Sequence, residues 1–329
     1  MKYVIIILLS CSNLLTAQIN IKNANSIQGI SFIDIYNKDD IFIGSTNDSN
    51  IISESLKRRI LNQSNFVTLR SSFYEPKKIS INEMLHTDEI LLNPKTFPLN
   101  ELIIPKSTAS KYLKISGYYR STQLNNNEIQ YFNDGVVEYT VDAKKNKIHP
   151  HLLTNRAYQN KNIQQLTKKL HFSIVGAPIL YQENFANAKR IKIKKTDMFT
   201  EKICVYNDSS QIKNLSFLGN TSLLTNYSTR SIYSDTVTIN HLTYFAELRK
   251  YKIKSKKDIE FTNIEALHEF FVTDISYSDM KVQSNCRFYV FNREKKYDYP
   301  FWKDIKNKVY QNDNFTNQKF DALFEEIND

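Results

Sequence analysis

Glu128-Ile129-Gln130-Tyr131-Phe132-Asn133-Asp134-Gly135-Val136-Val137-Glu138-Tyr139-Thr140-Val141-Asp142 is the stretch on which the reading of this chain turns. Asp-Gly supplies the positive φ that a tight turn needs, so the stretch reads as a hairpin in which Asn133-Asp134-Gly135 joins Glu128–Phe132 to Val136–Asp142. Ile115-Ser116-Gly117-Tyr118-Tyr119-Arg120 opens the same β-rich unit. Further strands are expected at Ile203–Tyr206, Asp235–Asn240, Tyr244–Ile253, Phe271–Tyr277 and Arg287–Phe291. Helical spacing occurs only in pieces. Ile163, Leu166 and Leu170 suit one short helix. Ile264, Leu267, Phe270 and Phe271 suit another, opened by a Thr262…Glu265 capping box. Pro300 sits at a helix start before Phe301, Trp302 and Ile305, and Phe320, Leu323, Phe324 and Ile327 form a last apolar stripe.

The 329 residues are 41% hydrophobic and 24% charged, an ordinary globular composition that rules out a disordered, collagen-like or coiled-coil chain. Six glycines, at 29, 44, 117, 135, 176 and 219, are too scattered to build a GxGxxG or GxxxxGK phosphate cradle, which argues against Rossmann and P-loop enzymes. Lys and Arg exceed Asp and Glu by 44 to 34. Residues 1–110 hold 11 basic and 10 acidic groups, so nearly all the excess lies in the second part.

Ahead of the β-rich unit, short apolar runs alternate with Asn, Asp, Ser and Pro. Ile27–Tyr36, Ile41–Gly44, Phe66–Arg70, Ile79–Ile81 and Ile90–Leu92 read as strands of a small sandwich of about seven strands. Residues 53–63 suit either a strand or, through Leu56, Ile60 and Leu61, a short helix. Lys106–Tyr112 reads as a linker. The fold expected is mainly β: a sandwich over 25–105, then a larger β-rich domain over 113–329 with a few short helices.

Ile27-Gln28-Gly29-Ile30 with Asp34, the hairpin-like Ile43-Gly44-Ser45-Thr46-Asn47-Asp48-Ser49-Asn50, Val67 to Tyr74, and Asp88–Leu92 followed by Leu99–Ile104 come in the order of one family's strands. The first unit thus resembles the carboxypeptidase regulatory-like domain, a transthyretin-like sandwich of Bacteroidota cell-envelope proteins. Ile51 and Ser72 stand where that family usually has glycine. The Tyr118-Tyr119-Arg120 and Tyr131…Tyr139 segments are similar to the region C-terminal to this domain in many such proteins. The resemblance implies an envelope protein.

Met1-Lys2, the apolar run Tyr3–Leu9 and Leu14-Leu15-Thr16-Ala17 form a signal-peptide pattern with cleavage expected after Ala17. The location implied is periplasm or cell surface. A competing reading takes Leu8-Leu9-Ser10-Cys11 as a lipobox, and only lipidation of Cys11 would attach the chain to a membrane. Cys204 and Cys286 remain, either as a disulfide or as two buried thiols, since spacing does not decide connectivity.

His86-Thr87-Asp88-Glu89 has the HxxE spacing of a zinc carboxypeptidase, but it falls inside the sandwich, where a solvated turn accounts for it. His149-Pro150-His151 with His171 offers three imidazoles and reads as a polar loop between hairpin and helix. His241 and His268 are isolated, and no GxSxG, SxxK or Cys-His signature is present. No catalytic residue, metal ligand or cofactor is therefore assigned. Asp235-Thr236-Val237 resembles a Bacteroidota O-glycosylation acceptor and also suits a strand start.

Two basic runs are sharper. As strands, residues 189–195 would set Arg190, Lys192 and Lys194 on one face, and residues 249–257 would set Lys250, Lys252, Lys254 and Lys256 on one face. Such ladders suit anionic ligands, or a solvated face and lysine-protected edge. The function expected is a non-enzymatic, exported binding or interaction module whose partner is an envelope protein or glycan rather than nucleic acid. Tyr118, Tyr119, Tyr131, Tyr139, Tyr244, Tyr251 and Trp302 are candidates for a glycan or apolar groove. The alternatives are a secreted peptide or glycan hydrolase and an accessory acting in trans on a TonB-type transporter.

Overall fold

The structure is a computed structural model that describes residues 18–26, 28–47, 49–63, 65–71, 73–95, 110–142, 147–162, 173–178, 180, 190–195, 200–207, 215–217, 221–234, 244–255, 259–280, 286–287, 290–291 and 323–326. It is mainly β, with two helices among the described residues. The signal-peptide pattern, Cys11, His171, His241, Lys256, the 235–240 strand and its glycosylation motif, the 163–170 helix and Trp302 fall outside these residues.

The N-terminal unit is sandwich-like. β1 (Asn20–Asn23) pairs in parallel with β6 (Glu89–Leu92), so the sheet begins ahead of residue 25. β2 (Asp34–Asn37), β3 (Phe42–Ser45), β4 (Phe66–Ser71) and β5 (Tyr74–Ser80) form an antiparallel sheet in the order β3-β2-β4-β5. Ile21, Ile33, Ile35, Val67, Leu69 and Ile90 from both layers share one core.

Residues 53–63 resolve as a helix. In α1 (Glu54–Gln63), Leu56 and Ile60 stand four apart on one buried stripe, and the Ser53 hydroxyl caps the Leu56 amide at 3.2 Å. Ile81 begins α2 (Ile81–Leu85) rather than ending a strand, because Ser80 caps it by accepting from the Glu83 amide. Between β2 and β3, Asn37 Oδ1 accepts from the amides of Asp39 and Ile41 and fixes the turn.

The second unit is one long antiparallel sheet. β7 (Tyr112–Asn125), β8 (Glu128–Asp142), β9 (Lys147–Asn160), β10 (Arg190–Lys195), β11 (Thr200–Asn207), β12 (Leu215–Phe217), β13 (Thr221–Ser234), β14 (Tyr244–Ser255), β15 (Thr262–Ser278) and β18 (Phe324–Glu326) make ten strands in the order β10-β11-β13-β14-β15-β7-β8-β9-β18, with β12 beside β13. Tyr112, expected in the linker, already belongs to β7. β16 (Cys286–Arg287) and β17 (Val290–Phe291) form a separate pair.

Four expectations are overturned here. Asn133-Asp134-Gly135 does not turn: β8 runs straight through it, and the hairpin closes at Asn126-Asn127, whose φ values of 49° and 67° are those of a tight turn. Gly135 is needed for close packing, since a Cβ there would lie 2.2 Å from the Thr154 carbonyl oxygen. Residues 262–271 form β15 rather than a capped helix, because pairing with β14 on one side and β7 on the other outweighs local spacing. Phe324 lies in β18, not on a helical stripe. His149-Pro150-His151 lies within β9, paired with β8 on one side, while among the described residues β18 pairs only with Tyr158–Asn160 on the other, so Pro150 sits where the strand is an edge, the place in a sheet where proline is tolerated.

These two turn assignments predict opposite mutational outcomes. Gly135→Ala is expected to cost at least about 1–3 kcal/mol by steric overlap, whereas Asn127→Gly should change stability by less than about 0.5 kcal/mol. Urea titration of both variants checks this, and the opposite ranking would restore the turn to Asp134-Gly135.

Candidate functional site

The two units meet on one face of the long sheet through a row of alternating charge. In register, Glu269 of β15 stands beside Arg120 of β7, Arg120 beside Asp134 of β8, and Asp134 beside Arg156 of β9. All four are buried, Asp134 to 1% exposure. Arg156 donates twice to Asp134, from Nε at 2.7 Å and from Nη2 at 2.9 Å, and the Tyr118 hydroxyl donates to the same carboxylate at 3.0 Å. From the sandwich, Asp34 descends onto the row and accepts from Arg120 Nη2 at 2.6 Å, while Glu269 lies 4.0 Å from Arg120 Nε. The hydroxyls of Ser45 and Tyr36 also donate to Asp34.

Around this row the contacts are aromatic. Tyr36 and Phe42 of the sandwich cluster with Leu124, Ile129, Phe132 and Phe324 of the sheet. Arg120 stacks over Phe132 with its guanidinium carbon 5.5 Å from the ring centre, and Arg70, paired with Asp40, lies 4.7 Å over Tyr36. At the rim Arg59 pairs with Glu128, and Asn47 donates to Asn127 at 2.6 Å.

Burial works against the Arg120 charge, but Asp34 and Glu269 more than offset it and hold the guanidinium pKa above its ordinary value. Arg156 is raised likewise, with Asp134 outweighing its desolvation. Burial, with Asp34 beside one phenol and Asp134 beside the other, pushes Tyr36 and Tyr118 well above the usual 10.0. Burial alone pushes Tyr131 up to about 12. A phenol that stays protonated in the folded state but ionises when unfolded leaves stability unchanged below about pH 10 and removes it as pH rises further. Absorbance titration at 295 nm should therefore show part of the tyrosine signal appearing only together with loss of tertiary circular dichroism.

The opposite face of the sheet carries a second buried row, Ser121 of β7, His268 of β15 and Glu247 of β14. Ser121 Oγ lies 2.9 Å from His268 Nδ1, and the Gly176 carbonyl lies 3.1 Å from the same nitrogen. A carbonyl only accepts, so that nitrogen carries the proton and cannot take one from the serine. Glu247 is held by two bonds from Arg249. Ser121, His268 and Glu247 are at most 2% exposed, so the trio is packed interior polarity rather than an accessible nucleophile and base.

The expected sites divide. His86 caps α2 with Nδ1 2.7 Å from the Asn82 carbonyl, while Glu89 pairs with Lys22, so the HxxE residues face separate partners. Cys204 lies in β11 and Cys286 in β16, in different sheets. Tyr118, Tyr119, Tyr131 and Tyr139 are buried, which removes them as groove walls.

The two basic runs fall into common register. Arg190, Val205, Thr229 and Lys250 succeed one another across β10, β11, β13 and β14, as do Lys192, Ile203, Ser231 and Leu248. The row through Lys194, Glu201, Tyr233 and Ala246 continues to Glu269 and Arg120, so these positions share the face on which the sandwich stands. Lys252 is exposed and Lys250 and Lys254 are half-buried, with Lys254 4.7 Å over the Phe261 ring.

No helix among the described residues is long and apolar enough to cross a membrane. No family model matches the chain, and no curated protein matches it.

Proposed function

We propose that the protein is an exported, non-enzymatic component of the cell envelope that works as a binding module, its first unit being a carboxypeptidase regulatory-like domain. The observation that carries this reading is the sandwich fixed by buried charge onto a long sheet whose other wing brings both basic runs onto the same face. Such an arrangement offers a rigid surface for recognition. The signal-peptide pattern and the order of the family-like segments support the location.

Crosslinking in cells of a tagged copy, with fractionation and mass determination of the mature N-terminus, tests it. Recovery from the envelope fraction beginning at Gln18 is the expected result. An unprocessed Met1 in the soluble interior of the cell would overturn the location, and turnover in a broad hydrolase screen would overturn the non-enzymatic reading. Capture with a TonB-type receptor would identify the module as a transporter accessory.

A further inference from the structure

The geometry points to a divalent transition-metal site, suited to zinc, near the edge of the long sheet, with His149 and His151 of β9 and Glu138 of β8 as its protein ligands. It goes beyond the binding-module reading and does not rest on it. As a loop, His149-Pro150-His151 would fix no relation between its imidazoles. As part of β9 it places both on one face of the sheet, about 7 Å apart along the strand.

That face is the one on which the sandwich stands. Val137, Tyr139, Val141 and Leu152 belong to the core on the other side, so Glu138, Thr140 and His151, which alternate with them, point the opposite way. In register, Glu138 stands beside His151 and Thr140 beside His149. The four thus occupy the corners of a rectangle whose paired Cβ atoms lie about 5 Å apart across the strands. Three corners carry the two imidazoles and one carboxylate of a zinc ligand set, and all three are half-buried. Two imidazoles select zinc, nickel or copper over magnesium and calcium, which take oxygen ligands.

The fourth corner supplies an independent observation. Thr140 is 0% exposed, and its hydroxyl has no hydrogen-bond partner, a costly state for a buried polar atom. With three protein ligands on a tetrahedral ion the remaining position takes water, which would give that hydroxyl its partner.

Glu138 is turned the other way in the structure. Its carboxylate faces β7, where it accepts from Ser116 Oγ at 3.5 Å and lies 3.3 Å from Lys114 Nζ, so among the described residues no three donors converge as the side chains stand. The serine contact is at the limit of a hydrogen bond. Swinging the carboxylate across its own strand exchanges the lysine for a doubly charged ion, to which it is the more strongly attracted.

The test titrates the full mature protein, without a histidine tag and freed of metal by chelation, with zinc chloride in a calorimeter, and with magnesium chloride in parallel. One zinc per chain is expected, and no magnesium. His149→Ala, His151→Ala and Glu138→Gln should each weaken zinc binding at least about tenfold. His86→Ala, which removes the imidazole bonded to the Asn82 carbonyl, should leave it unchanged. Absence of zinc binding overturns the assignment, as does binding indifferent to any of the three ligand substitutions in a folded variant. Where a variant does not fold, X-ray absorption at the zinc edge of the unaltered complex decides: two imidazoles among oxygen ligands are expected, and sulfur or a single imidazole overturns the site. None of these outcomes touches the envelope location or the binding-module reading, which the crosslinking experiment decides separately.

Discussion

Replacing Arg120 by alanine is expected to destabilise the protein by about 3–5 kcal/mol, because it leaves two carboxylates, Asp34 and Glu269, buried without their common cation. In a chain of this size that corresponds to a fall in melting temperature on the order of 10 °C. The pair itself contributes less than its removal costs, since desolvation consumes much of the attraction. The double variant Arg120→Met, Asp34→Leu should therefore lose less than Arg120→Ala alone, and the cycle through both single variants should be strongly non-additive. An Arg120→Ala protein that melts within about 2 °C of the parent would mean that the row is hydrated and that the sandwich is held by its aromatic and rim contacts instead.

A comparable loss, about 3–5 kcal/mol, is expected from Phe324→Ala. Phe324 is 1% exposed and stacks on Phe42 of the sandwich at 5.6 Å, while its strand pairs with β9 of the sheet. It thus ties three distant parts of the chain together. The effect should be local: amide exchange should quicken in β2 and β3, while the core on the other face, around Ile115, Tyr139 and Phe270, keeps its protection. Uniform loss of protection across both faces would show that the sandwich and the sheet unfold as a single cooperative unit.

The β-rich character and most strand positions were legible because alternating and β-branched runs survive into the fold, as Phe66–Ser71 and Glu89–Leu92 do. What was misread was decided by distant partners. Asp134-Gly135 carries every local sign of a turn, yet Arg156 and Tyr118 satisfy the carboxylate and the Thr154 backbone needs the missing side chain. The helical spacing at 264–271 gives way to two long strands on either side. Of the candidate site, the alternation within each basic run was visible, but not that both runs share a face, which depends on the register of four strands. The charge row left no local signal, since Asp34, Arg120, Asp134, Arg156 and Glu269 lie far apart along the chain. The sign that could have found it was the placing of charged residues inside otherwise apolar strands.

That row also answers a difficulty peculiar to long strands. A slip by one residue would turn every side chain to the wrong face, but a slip by two preserves the pattern of inside and outside and is nearly invisible to the hydrophobic effect. Strands of 14 to 17 residues offer many such near-correct alignments. Moving β8 by two against β7 would set Arg120 opposite Phe132 or Val136 and part Asp134 from the arginine beside it. The charges beneath the sandwich thus act as a key whose teeth fit one alignment only, and Asp34 can bond Arg120 only when that alignment is correct.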